Sequence, residues 1–152
     1  MVLHNIRSVH NTASIFRTAD ALGVEKIYLC GITPSPLDRL GYHRNQFVKV
    51  SLGAEKSVPY EKKVSTTKVI DQLKEEGYLV LAVEQAKGSV AYNKFRTRKR
   101  KIALVLGSEV TGLPEAVLRR VDKVLEIPMV GKKESLNVAI AFGVVAYHFK
   151  YK

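Results

Sequence analysis

The sequence predicts an α/β fold: a mostly parallel sheet with helices on both faces. Helical and strand-like patterns alternate along the chain, and two strand-like runs, Tyr78–Val83 and Ile102–Leu106, are almost wholly apolar. A strand covered on one face alternates polar and apolar residues, whereas one buried on both faces reads as a continuous apolar run, the mark of a parallel sheet. Length agrees. A chain of 152 residues, 46% of them apolar, suits one compact domain spanning 1–152 and is too apolar for disorder.

The elements follow in order. Thr12–Leu22 reads as a helix, with Ile15, Ala19 and Leu22 on one stripe, Asn11 as its cap and Gly23 as its stop. Lys26–Cys30 is a short strand ended by Gly31. Ile32–Gly53 reads as irregular, broken by Pro34, Pro36, Gly41 and Gly53. Ser65–Glu76 is a second helix, capped by Ser65 or Thr66, striped by Val69 and Leu73 and closed by Gly77. After the two apolar strands come a short helix, Pro114–Arg120, a strand, Val124–Ile127, stopped by Pro128, and a final helix, Leu136–Phe149. That last helix is apolar nearly all round, so every side needs cover. One sheet covers one face, and a second copy of the chain is the expected cover for the other.

Charge and composition narrow the function. Lys and Arg number 25 against 14 Asp and Glu, a net +11, which favours a polyanionic partner. No apolar run reaches the roughly 18 residues of a membrane span, and no signal peptide is visible, so a cytoplasmic protein with no membrane partner is expected. The single Cys30 excludes an internal disulfide framework, and four scattered histidines show no ligand spacing, so no metal site is expected. No Gly-x-Gly-x-x-Gly follows a strand. The glycines of Gly107–Gly112 have phosphate-loop spacing, but Leu113 and Pro114 stand where that motif needs Lys and Ser or Thr.

Three polar clusters lie at the ends of apolar elements. The first, Asn11–Asp20, reads either as a capped surface helix with an Arg17–Asp20 pair or as a functional face. The second, Leu106–Pro114, follows a buried strand, the edge where ligands gather in open α/β sheets. The third, Ile127–Val138, leads into the last helix. Ser135 reads as that helix's cap, which leaves a polar Asn137 in the first turn in need of partners. A fourth feature is a charge run: Lys94, Arg96, Arg98, Lys99, Arg100 and Lys101 precede the strand Ile102–Leu106. Such runs are usually solvated loops. Six clustered cations with Tyr92 and Phe95 beside them fit phosphate contacts and base stacking.

In this order the three clusters resemble the SpoU/TrmH family of the SPOUT class of RNA methyltransferases. Asn11 and Arg17 match its Asn-x5-Arg motif; Leu106–Leu113 resembles Leu-Gly-Ser-Glu-x-x-Gly-Leu, with Glu109 in the acidic slot; Ile127–Val138 resembles Ile-Pro-Met-x-Gly…Ser-Leu-Asn-Val. Ser51–Glu55 is also similar to the family. Ala13 stands where relatives often carry Gly. The resemblance spans essentially the whole chain.

The resemblance implies a C-terminal deep trefoil knot, a homodimer whose active site is completed across the interface, and S-adenosylmethionine as cofactor. It implies methyl transfer to a ribose 2′-hydroxyl of tRNA or rRNA. By motif position the cofactor contacts fall at Val83, Gly107, Ile127, Met129 and Leu136, and the catalytic set at Arg17, Asn11, Glu109, Ser135 and Asn137. A guanidinium is a poor base alone, so Arg17 is expected to act with an RNA phosphate it holds bidentately. No separate RNA-binding extension is expected, so capture falls to Arg7, Arg39, Arg44, Arg96, Arg98, Lys99 and Arg100. The alternative is a non-catalytic RNA-binding protein on the same fold; the intact catalytic set argues against it.

Overall fold

The computed structural model describes residues 1–152. Its centre is a seven-stranded sheet: β1 (Val2–His4), β2 (Ile27–Cys30), β3 (Tyr60–Lys63), β4 (Leu79–Val83), β5 (Val90–Ala91), β6 (Ile102–Leu106) and β7 (Lys123–Glu126). The order across the sheet is β3-β2-β1-β6-β4-β7-β5, and every pairing is parallel. The helices are α1 (Val9–Leu22), α2 (Asn45–Ser51), α3 (Ala54–Ser57), α4 (Thr66–Glu75), α5 (Glu115–Leu118) and α6 (Val138–Lys150).

Both faces of the central strands are buried, as the continuous apolar runs predict. Leu3, Leu29, Leu81, Leu104 and Leu106 point into one core with Phe16 of α1, Phe47 of α2 and Phe142 of α6. Their neighbours Val2, Tyr28, Val80, Ala82, Ala103 and Val105 point into a second core with Val69, Ile70 and Leu73 of α4. Alternation along each strand therefore separates two apolar layers.

Several elements differ from the sequence reading. Helix α1 starts at Val9 because the Ser8 hydroxyl accepts the Asn11 N–H at 3.1 Å; Ser8, not Asn11, is the cap. Its end at Gly23, in a left-handed conformation at φ 64°, is as expected. The segment expected to be irregular contains α2, whose single deep anchor, Phe47, is too sparse a signal for a helical period. Strands β1, β3 and β5 are short enough to lack a readable pattern. Helix α6 starts at Val138, and Asn137 rather than Ser135 caps it. One face of α6 packs on the sheet through Val138, Phe142 and Val145, while Ile140 and Tyr147, continued by Leu136 and Tyr151 just outside its ends, leave an exposed apolar stripe on the other. No helix is long and apolar enough to cross a membrane.

Candidate active site

A cleft of about 750 Å³ opens at the C-terminal edge of the sheet. Val83 at the end of β4, Leu106 at the end of β6 and Ile127 just beyond β7 form its floor. The loop Gly107–Leu113 and the segment 127–137 wall it, and Val138 and Ala141 of α6 close one side. Parallel strands bring these ends level: Val83 pairs with Leu106 in one neighbour and with Leu125 in the other. All five residues expected at the cofactor, Val83, Gly107, Ile127, Met129 and Leu136, line this cleft.

Two glycines shape the loop. A Cβ on Gly107 would stand 2.6 Å from the Gly112 carbonyl carbon and 2.7 Å from the Leu113 nitrogen, so only glycine lets the two strands of the loop close. Gly112 takes φ 64°, and a Cβ there would meet the Glu84 carboxylate at 2.6 Å. Glu84 Oε2 in turn accepts the Leu113 N–H at 2.9 Å. The sequence reading missed Glu84. The signal was present: it is the first residue after an apolar strand, at the edge where ligands gather.

A relay of side chains crosses the cleft mouth. Asn11 Nδ2 donates to Glu109 Oε1 at 2.9 Å, and Asn137 Nδ2 donates to Asn11 Oδ1 at 3.0 Å. These contacts join residues 98 and 126 positions apart and unite the three sequence clusters. The direction is fixed by chemistry. Asn137 Oδ1 is already occupied by the Ala139 N–H at 2.9 Å, so its amide nitrogen faces Asn11. A carboxylate only accepts, so the Asn11 nitrogen faces Glu109. Burial pushes the Glu109 carboxyl up. Hydrogen bonds from the Asn11 side chain and from its own, Arg7 and Ser8 backbone N–H groups outweigh that, and the net shift is downward from 4.5. Glu109 is thus held as a carboxylate.

Ser135 lines the cleft and caps nothing. Asn137 is exposed, so the partners it needs are cap and relay rather than a buried environment. Arg17 lies apart. It is exposed on α1, outside the cleft lining, roughly 120° round the helix and about 9 Å along it from Asn11. It forms no pair with Asp20, which accepts the Ser57 hydroxyl instead.

The expected RNA-contact residues are scattered. Arg7 is exposed beside Glu109, to which its N–H donates at 3.3 Å. Arg39 is exposed, whereas Arg44 Nε is committed to the Ser35 carbonyl at 3.1 Å. Arg96 folds back on the Asn93 and Phe95 carbonyls. Arg98, Lys99 and Arg100 are exposed. Tyr92 and Phe95 are not free to stack on bases: Tyr92 packs edge-on against His148 and Phe95 against Phe149. Arg100 and Lys101 line a smaller cleft of about 270 Å³ with Met1, Lys26 and Ile102. These are the starts of strands, so this end of the charge run lies at the sheet edge opposite the main cleft.

The SpoU rRNA Methylase family profile matches residues 1–147. The chain belongs to the SpoU/TrmH family of RNA methyltransferases. A Staphylococcus haemolyticus protein assigned to the TrmH family of tRNA/rRNA methyltransferases is 34% identical over 147 residues, covering 97% of this chain and 56% of that protein. The chain thus spans about half the length of that relative. The AdoMet-bound rRNA methyltransferase of Sinorhizobium meliloti superposes with a TM-score of 0.87 at 30% identity, over 98% of this chain and 54% of that one. A structure describing 2-OH methylation of C/U34 on tRNA superposes with a TM-score of 0.78 at 31% identity, over 97% of this chain and 91% of that one.

S-adenosylmethionine is the cofactor of this SpoU/TrmH family, and the residues present fit it. The cleft offers apolar walls for a purine, from Val83, Leu106, Ile127, Met129 and Leu136. The Gly107–Leu113 loop lines the cleft and brings backbone groups to it for hydrogen bonds to an adenosine.

Proposed function

We propose that the chain transfers a methyl group to a ribose 2′-hydroxyl of tRNA or rRNA, as a homodimer with a trefoil-knotted C-terminal half, in the cytoplasm. The observation that carries this is the Glu109–Asn11–Asn137 relay, which draws all three motif clusters to the mouth of one cleft. The exposed stripe Leu136–Ile140–Tyr147–Tyr151 supports the dimer. So does Arg17: it lies outside its own cleft but on a helix packed against α6, where a second subunit would bring another cleft to it. That segment 127–137 and the Gly107–Leu113 loop wall the same cleft supports the knot. The likeness to the C/U34 enzyme makes tRNA the first substrate to test.

When bound, S-adenosylmethionine supplies a sulfonium methyl group. The chain's part is placement. Asn11 and Asn137 fix the Glu109 carboxylate, and Glu109 fixes the turn after Arg7 through its N–H. Arg17 of one subunit holds an RNA phosphate bidentately at the other subunit's cleft. That phosphate accepts the proton leaving the 2′-oxygen, since a guanidinium stays protonated. Arg7, Arg39 and the Arg98–Arg100 cations hold the RNA body.

The test is incubation with methyl-labelled cofactor and tRNA or rRNA transcripts, followed by nuclease digestion and mass spectrometry. A labelled 2′-O-methylnucleoside is expected, and Arg17→Ala abolishes it while cofactor binding stays near normal. Label on a base, or undiminished transfer by Arg17→Ala, overturns the reading. RNA binding with no transfer to any RNA points to a non-catalytic binding protein.

A further inference from the structure

The cleft is electrostatically unlike the rest of the molecule. The chain carries a net +11, yet no Lys or Arg lines the cleft, and two carboxylates do: Glu84 and Glu109. They flank the two ends of the Gly107–Leu113 loop. Glu109 faces Asn11 at the mouth, and Glu84 stands at the floor beside Val83. Lys132 and Lys133, in the segment that walls the cleft, are exposed and outside its lining.

Glu84 is held in place. Its Oε2 accepts the Leu113 N–H at 2.9 Å and its Oε1 accepts the Gln85 N–H at 3.0 Å. Neither donor is charged, so its negative charge is not neutralised by an ion pair. Of the two donors only the Leu113 N–H belongs to the loop, and a glutamine oxygen would accept it as well, giving up only the local bond from the neighbouring Gln85 N–H. The charge itself calls for another reason.

We infer that Glu84 makes the cleft select the charged methyl donor over its neutral product. This rests on the cleft's being the cofactor site. Before transfer the donor is a sulfonium cation. When the sulfur–methyl bond breaks and the methyl carbon bonds to the 2′-oxygen, the sulfur keeps the bonding pair and becomes a neutral thioether, and the oxygen loses its proton. The ligand thereby loses one unit of positive charge inside a cleft with negative walls. Across a partly screened cleft, one carboxylate several ångströms away changes affinity for a unit charge by about three- to tenfold. The product is then the weaker ligand, and exchange for fresh donor follows from its charge.

The test compares two ligands by calorimetry: S-adenosylhomocysteine, the neutral product, and sinefungin, which carries an amine cation in place of the sulfonium. Wild type is expected to prefer sinefungin. Glu84→Gln is expected to lower sinefungin affinity about three- to tenfold and leave S-adenosylhomocysteine affinity unchanged. Equal weakening of both ligands, or of neither, overturns the proposal, the first by showing that Glu84 only shapes the loop. If Glu84→Gln does not fold, wild type decides: raising salt is expected to erode the preference for sinefungin while S-adenosylhomocysteine affinity holds, and a salt-independent preference overturns the proposal. Failure of both ligands to bind wild type overturns the cofactor reading of the cleft itself.

Discussion

Replacing Asn11 with Ala removes a donor to Glu109 and an acceptor for Asn137 in one step. Both partners are exposed and re-solvate easily, so the expected cost in stability is about 0.5–1 kcal/mol. Methyl transfer is expected to fall more than tenfold, because the relay sets geometry rather than stability. Thermal melting against initial rate separates the two. Gly107→Ala has the opposite profile. Its Cβ would stand 2.6 Å from loop backbone, so the loop must shift, and calorimetry should show cofactor binding lost. Glu55 makes a pH prediction. It is buried; that pushes its carboxyl up, but the Ser51 hydroxyl, its own and the Gly53 N–H groups and Lys56 pull harder, leaving it below 4.5. A lowered carboxyl stabilises the fold above its unfolded value, and that contribution is lost as pH falls through the folded value. Glu55→Gln should therefore melt lower than wild type at pH 7, with the gap closing below about pH 4. The turn it holds contains Leu52 at φ 51°, a conformation costly for leucine.

At the scale of elements, α6 is the most informative. Its even coat of apolar residues implied cover on every side, and the structure shows which side lacks it: the stripe through Ile140 and Tyr147, exposed by 57% and 45%. Ile140→Asp should leave folding intact and convert a dimer to a monomer, with loss of transfer; light scattering and circular dichroism check the two halves. The strands legible in the sequence were β2, β4 and β6, each with four or more apolar residues in a row, and β7, marked by Val124, Leu125 and the stop at Pro128. The ones that escaped are edge or terminal strands of two to four residues. Ser65 and Gly23 cap where they were read, but two other caps were legible by type and not by position. Ser8 takes the role read for Asn11, and Asn137 that read for Ser135, because within a few residues several side chains are able to cap and only packing chooses.

At the scale of the molecule, charge and chemistry are separated. The end of the charge run lies across the sheet from the cleft, so the RNA contacts proposed for its cations fall away from the proposed site of transfer. Neutralising Arg98, Lys99 and Arg100 together should weaken RNA binding and lower the salt slope by about 2, at roughly 0.7 per phosphate contact. Filter binding across a salt series measures it. The grouping of Asn11, Glu109 and Asn137 was legible only as three motifs in order. Nothing local in the sequence says that residues 98 and 126 positions apart touch. Glu84 shows the complementary limit. Its place just after an apolar strand was readable, but the loop that closes over it is encoded by no spacing.

The strand order has a consequence for how the chain acquires its shape. β1 sits inside the sheet, beside its middle strand β6, with Val2 paired to Val105. During synthesis the first strand emerges long before the partner that completes its pairing. At about 5–20 residues per second, several seconds pass with that edge open. Non-local parallel pairing of this kind is slow to nucleate. The floor of the cleft waits longer still, for Ile127 beyond β7, and every nascent chain that stops short of β6 presents β1 with one side unpaired.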